Sequence, residues 1–350
     1  MGNEVFSAVA ALALGAVVGV VLFVPFVAVS YRRRGRLTAG RFVLWAAALV
    51  YFWAIWTYTL LPLPDVGDYR CAGVNLDVWA FVGDLAGARG LTDPAVLQLA
   101  LNVLLFVPLG FFLRVLGGRG ILTALLVGLA VSLVIETTQL TGVWGLYPCA
   151  YRVFDVDDLL TNTAGAVAGS LLALAVPRRL RGSRVTDAAA QAHPVTRGRR
   201  LLAVFCDLLA VWLVTLGAGV AVQVWLEYVV HDHAAVTDGA AASVAATVVP
   251  LALWLVVVLA TGRSVGDLAV ELRWRGPLPE PLARVLRFLG GVGGYLLLGA
   301  LPGGWAVLQF AFAAASVVLL FTTAAGRGLP GVLSRQRLAD AREDSAHRSK

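Results

Sequence analysis

Long apolar runs separated by short polar breaks make up most of the chain. They cover about residues 5–30, 42–63, 96–116, 120–141, 158–177, 201–229 and 242–261. Each is close to the ~20 residues that carry a helix across the hydrocarbon core of a bilayer. A last apolar stretch, about 288–325, is too long for one span. It contains Pro302-Gly303-Gly304, a helix-breaking turn signal. Splitting it there gives nine spans, the eighth of them short and rich in glycine. One long broken helix, giving eight spans in all, is the alternative. The expected fold is an all-α polytopic membrane protein.

Composition agrees with that pattern. Of 350 residues, 59% are hydrophobic and 14% charged, against about 45–50% and about 25% in soluble domains. Mean hydropathy is +0.82. These values exclude a water-soluble fold, a disordered chain, a collagenous chain and a disulfide-rich secreted module. The net charge of +7 fits arginine-rich cytoplasmic loops, and the basic patches lack the aromatic interleaving of nucleic-acid binders. With the N-terminus outside, 25 of the 28 Lys and Arg fall in inner loops and the tail, and only Arg70, Arg89 and Arg152 fall outside. The positive-inside rule needs a far smaller bias. The start Met1-Gly-Asn-Glu-Val lacks a basic n-region and cleavage site, so the first run reads as a retained span.

The stretch Arg178 to Arg200 is polar and carries Gly182-Ser183 and His193-Pro194. It reads as a linker, which divides the chain into a five-helix membrane domain (1–180), a cytoplasmic linker (181–198), a four-helix membrane domain (199–335) and a charged tail (336–350).

Several polar residues lie where lipid should be. Ionisable groups in spans usually face the bundle interior and mark functional sites. Glu136 and Gln139 sit three apart on one face of span four. Asp155, Asp158 and Asn162 share one face at the start of span five, with Asp157 beside them. Asn102 lies six residues into span three, or ~9 Å at ~1.5 Å per residue. Glu136 and Asn162 come out at similar depths, ~7 and ~6 Å. Arg152 lies just above. The spacing predicts one polar pocket under the outer surface, built from carboxylates, amides and an arginine. Interhelical glue at ~1 kcal/mol per group accounts for Asn102, Gln139 and Asn162, and less well for three carboxylates beside Arg152. Gly165 and Gly169 form a small-residue strip on the same face as Asn162, which permits close helix approach. Pro108 and Gly110 predict a kink in span three.

These residues also carry a family resemblance. Asn102-Val-Leu-Leu-Phe-Val-Pro108-Leu-Gly110, Glu136-Thr-Thr-Gln139, Arg152-Val-Phe-Asp155-Val-Asp157-Asp158-Leu-Leu-Thr-Asn162-Thr-Ala-Gly165 and Thr59-Leu-Leu-Pro62 resemble, in order and spacing, the VanZ-like membrane proteins over about residues 40–178. The resemblance implies a place in the bacterial envelope and plasma membrane. Through the family's founding member it also implies a link to low-level glycopeptide resistance. It supplies no reaction.

In the second domain, Arg200 and Asp207 lie two turns apart on one helix face. Arg200-Leu-Leu-Ala203-Val-Phe-Cys-Asp207 and Thr261-Gly262-Arg-Ser-Val-Gly266-Asp-Leu resemble the RDD family. That family carries a His-Asp pair where this chain has Pro330-Gly331, which bears on any activity attached to that Asp. The segment 264–287 reads either as an inner-surface element or as a solvated loop. Of three cysteines, Cys206 lies in a span, while Cys71 and Cys149 fall in outer loops and are expected to form a disulfide. His231-Asp232-His233 lacks a third ligand on another helix, so no metal site is expected, and no cofactor motif is present. The expected partners are the lipid bilayer and a lipid-linked envelope ligand bound at the polar pocket. An intramembrane enzyme acting on an envelope precursor, or a structural or regulatory partner of an envelope complex, remain the other readings. No nucleophile or metal set speaks for catalysis.

Overall fold

The structure is a computed structural model that describes residues 3–61, 63, 70–90, 92–182, 191–301 and 306–343. Among these, seven helices are long and apolar enough to cross a membrane, or eight if a bent pair counts as one span. The chain is therefore a multi-pass membrane protein. It divides into two compact units, and the division falls inside the first helix: residues 1–19 and 38–184 form one unit, residues 20–37 and 185–350 the other.

The first unit contains the front of α1 (Asn3–Arg34), α2 (Ala39–Leu60), α3 (Ala80–Gly87), α4 (Pro94–Val115), α5 (Ile121–Leu140) and α6 (Val156–Leu172). Its core is Ile55, Phe106, Ile135 and Ala166. The tightest packing is between α4 and α6. A Cβ placed at Gly165 or Gly169 would sit 2.2 Å from the Val103 carbonyl oxygen or 1.8 Å from that of Val107, and one at Gly110 would sit 1.7 Å from that of Ala166. The repeats Val103/Val107 and Gly165/Gly169 share a four-residue spacing, so the two backbones meet over a full turn. Pro108 interrupts the α4 ladder, and the Tyr51 hydroxyl of α2 donates to the adjacent Leu105 carbonyl at 2.7 Å.

One end of this unit is closed by a strap. Cys71 and Cys149 form a disulfide with their Cα atoms 5.6 Å apart. The Ala72 N–H donates to the Ala150 carbonyl at 2.9 Å. Strand β1 (Val74–Asn75) then pairs in parallel with β2 (Phe154–Asp155). The segment that leads into α3 is thus fixed to the one that leads into α6.

The second unit contains the rest of α1 and α7 (Arg197–Trp225), which runs on as a π-helix over Leu226–Val230. Then come α8 (His233–Asp238), α9 (Ala240–Thr261), α10 (Val265–Ala269) and β3 (Leu272–Arg275). The chain continues with α11 (Glu280–Gly290), α12 (Val292–Gly299), α13 (Ala306–Thr322), α14 (Gly328–Leu333) and β4 (Arg337–Asp340). Helices α11 and α12 are bent by 53° at Gly291, so the break in this region comes well before Pro302-Gly303-Gly304, which lies outside the described residues. At 17 residues, α13 spans ~26 Å at ~1.5 Å per residue, a little short of a bilayer core. The segment 264–287, read above as a surface element or loop, holds α10, β3 and part of α11. Arg337–Asp340, read above as the start of the tail, pairs antiparallel with β3. Residues 183–190 of the expected linker and 344–350 of the tail lie outside the described residues.

The α4–α6 seam generates a test. Gly169→Ala should lower the stability of the purified protein by about 1–3 kcal/mol, the usual range for overpacking. Gly40→Ala, where nothing lies within 4 Å, should leave it unchanged. Equal melting temperatures for both variants would show that the seam does not set the approach of these helices.

Candidate functional site

The first turn of α6 carries the densest polar chemistry of the first unit. Asp155 is its N-cap and accepts the Asp157 N–H at 2.9 Å. Asp157 and Asp158 occupy the first turn, where the positive end of the helix dipole favours carboxylates. From there the three side chains diverge. Asp155 accepts both contacts of Asn75 Nδ2, at 3.2 and 3.3 Å. Asp157 is buried and accepts the N–H groups of Trp79 at 3.0 Å and Phe81 at 2.9 Å. Helix α3 has no side-chain cap of its own, so Asp157 caps it from across the unit. Asp158 accepts Asn102 Nδ2 on Oδ1 at 2.5 Å; its Oδ2 has no hydrogen-bond partner in the protein among the described residues.

The remaining predicted residues join this network in different ways. Buried Glu136 accepts the Asp155 N–H on Oε2 at 3.1 Å. Asn162 Nδ2 donates to Ser132 Oγ at 2.9 Å, and its Oδ1 is buried without a partner. Gln139 Nε2 and Arg152 Nη1 both donate to the Thr59 carbonyl, at 2.7 and 3.1 Å. Arg152 is exposed and does not pair with Asp158, contrary to the pocket drawn from the sequence. Depth along a helix placed it correctly near the carboxylates, but the β1–β2 bridge turns the chain before α6 and sends its side chain toward α2.

A cavity of about 110 Å³ lies against this turn, lined by Asn75, Gln98, Asn102, Asp155, Asp157, Asp158 and Thr161 among others. No cation lines it. At ~30 Å³ per water it has room for three or four waters, or for one terminal group of a ligand. Its chemistry asks for hydrogen-bond donors. Neither Glu136 nor Arg152 reaches it. Gln98, which the sequence reading missed, sits one turn before Asn102 on the same face of α4, so the i, i+4 spacing was the available signal. Asn75 carried none, since only the strap brings it to Asp155. Among the described residues, no group of three His, Cys, Asp or Glu converges to hold a metal ion. His233 contacts Glu227 at 2.9 Å on an exposed turn.

The second unit has its own buried polar network. Arg199 pairs with Asp340 at 2.7 Å, and donates to the carbonyls of His193, Val270 and Glu271. Arg200 pairs with Asp267 at 2.6 Å and stacks on Trp274. Asp207, expected as the partner of Arg200, instead accepts Ser264 Oγ at 2.6 Å, the Gly266 N–H at 2.9 Å and Trp254 Nε1 at 3.2 Å. The approach is close: a Cβ at Gly266 would lie 1.9 Å from the Ala203 carbonyl oxygen. Asp267, read from the sequence as part of the RDD-like segment that starts at Thr261, closes a capping box with Ser264.

Asp340 lies outside the spans. Burial alone would raise its carboxyl pKa, but the Arg342 N–H, the Arg199 guanidinium and the His193 N–H together hold it below the usual carboxylate value. The group is therefore stabilising above that usual value, and the contribution is lost as pH falls through the lowered one. Asp340→Asn should destabilise the protein by about 3–5 kcal/mol, as removing one partner of a buried pair does. The gap to wild type should stay constant from neutral pH to about 4 and narrow below it. A gap that is the same at every pH would mean that Asp340 is not ionised in the fold.

No curated protein and no solved structure matches the chain. Residues 42–177, which contain every residue of the first unit's polar network, match the family model described as VanZ/LLP1.

Proposed function

We propose that residues 42–177 form a binding module on the outer face of the bacterial plasma membrane. It seats an amine- or hydroxyl-bearing group of a polar, lipid-linked envelope ligand. The observation that carries this reading is Asp158, whose Oδ2 has no partner among the described residues, on a cavity whose described lining holds three carboxylates and no cation. The VanZ/LLP1 match supports a role in the envelope and, with the family's founding member, a link to glycopeptide resistance. Asp155, Asp157 and Gln139 are spent on contacts within the protein, which favours the structural reading for those residues alone; Asn162 is half spent, through Nδ2. An enzyme needs a second acid–base group or a nucleophile at Asp158, and the lining candidates Asp155, Asp157 and Thr161 already hold contacts within the protein.

The outer placement rests on the arginine count. It predicts that Arg34→Cys and Arg181→Cys, made in a Cys206→Ser background, stay unlabelled by an impermeant thiol reagent in intact cells, while Asp93→Cys is labelled. The reverse pattern would invert the topology.

We infer too that residues 199–335 form an RDD-like domain, because Arg200, Asp207 and Asp267 meet at one place. Gly331 stands where the family has Asp. A Cβ there would lie 2.7 Å from Arg327 Cβ and 2.8 Å from the Trp274 ring, and the carboxylate that pairs with Arg200 is that of Asp267.

The binding reading is tested by complementing a deletion strain and measuring glycopeptide susceptibility. Asp158→Asn, with wild-type abundance, should lose the effect of the wild-type gene. Asp157→Asn should lower abundance and melting temperature, because two N–H groups of α3 then lose their carboxylate. Arg152→Gln should behave as wild type. If Asp158→Asn keeps full function at full abundance, the cavity is not a binding site and the structural reading holds.

A further inference from the structure

The second unit holds a larger cavity of about 350 Å³, inside the ~300–1,000 Å³ range of small-molecule sites. Much of its wall is apolar, including Leu208 and Val211 of α7, Phe288 of α11, and Phe312 and Leu320 of α13. The charged part of the wall is Arg200, Arg263 and Arg287 with Asp207 and Asp267.

Most of these charges are spent. Asp207 holds three donors, and Asp267 holds Arg200 and Trp274 Nε1. Arg263 donates to the carbonyls of Leu272 and Asp267 and lies 3.6 Å from Glu271. Arg287 differs. Its side chain is 4% exposed, and Nη1 donates to Gln336 Oε1. Its nearest carboxylate, Glu280, is 3.7 Å away and half in water. Neither Nε nor Nη2 has a hydrogen-bond partner, and on the same walls Arg200 Nε and Ser316 Oγ have none either. A buried donor left unanswered is costly, and the guanidinium fork matches the oxygens of a carboxylate or phosphate.

We propose that this cavity binds a single-chain anionic amphiphile, with its carboxylate or phosphate head at Arg287 and its alkyl or isoprenyl chain along the apolar wall of α7 and α13. At ~30 Å³ per group, the volume takes about a dozen non-hydrogen groups: the head and first carbons of one chain, and not two chains. With Glu271 and Glu280 at 3.6 and 3.7 Å from Arg263 and Arg287, the arginines about the wall do not outnumber the carboxylates, so what an anionic head meets is the two unanswered nitrogens of Arg287. A chain buried beside charged groups separates this site from a plain apolar groove.

The full-length protein in phosphatidylcholine nanodiscs is titrated with dodecyl phosphate, dodecanoate, dodecanol and inorganic phosphate, and binding is read by native mass spectrometry and thermal shift. Dodecyl phosphate and dodecanoate should bind at least ten times more tightly than either dodecanol or inorganic phosphate. Arg287→Gln should weaken binding of dodecyl phosphate at least tenfold. Ala313→Phe fills the cavity with the guanidinium intact and should do the same, so the proposal stays testable if Arg287→Gln does not fold. A bilayer lipid and a free amphiphile share this chemistry. If lysophosphatidic acid, a single-chain bilayer lipid, mixed into the disc displaces dodecyl phosphate, the site draws on the bilayer; if it does not, the ligand is a free amphiphile. Dodecanol binding as tightly as dodecyl phosphate, or Ala313→Phe binding as tightly as wild type, would overturn the proposal.

Discussion

A polar group held in a bilayer has no water to turn to, so the protein itself must answer it. That constraint sets how both units are built. In the first, α4 and α6 come so close that a methyl group at Gly165, Gly169 or Gly110 would strike a carbonyl oxygen. This approach brings Asn102 on α4 within reach of Asp158 on α6. Spacing those two helices further apart would leave a carboxylate and an amide facing hydrocarbon. The seam and the polar site are therefore one device: the small residues set the distance, and the polar pair depends on it.

The same constraint explains the strap. Asp157 is buried at the start of α6, where a carboxylate needs donors. It finds two in the uncapped first turn of α3. That helix in turn is held in place by a disulfide and a two-residue strand pair. A charge that would be a liability becomes the cap of another helix. The adjacent residues Arg199 and Arg200 divide in a similar way. One fastens the segments before α7, after α10 and at β4, while the other faces the cavity.

How far the sequence can be read follows from which of these contacts are local. Spans were legible because a run of about twenty apolar residues has a single physical use. Glu136, Asp155, Asp158 and Asn102 were legible as neighbours because helix geometry converts residue number into depth. Depth does not fix azimuth or the path of a loop. Arg152 was accordingly placed with Asp158, although its side chain turns to the Thr59 carbonyl. Arg200 was matched with Asp207 on its own helix, whereas the partner came from a residue 67 positions away. Asn75 and Arg287 gave no periodic signal, since their roles depend on the strap and on the bend at Gly291. The strand Arg337–Asp340 was hidden by its charge: Leu338, Ala339 and Asp340 are all buried, but Asp340 only because Arg199 answers it from another element, so the segment reads as polar tail.

What separates a site from scaffold in this protein is unspent valence rather than charge itself. The carboxyl groups of Glu136, Asp155 and Asp157 lie together, yet backbone or amide donors within the protein answer them. Asp158 keeps one oxygen free beside a small cavity without a cation. Arg199 and Arg287 are both buried arginines of the second unit. Arg199 places all three nitrogens on acceptors, while Arg287 leaves two unanswered on the wall of a cavity. The completed groups hold the fold. The incomplete ones are what the two proposals rest on: Asp158 for a donor group, and Arg287 beside an apolar wall for the head of an amphiphile. Because the two sites use different units and opposite signs of charge, a substitution that empties one leaves the chemistry of the other intact.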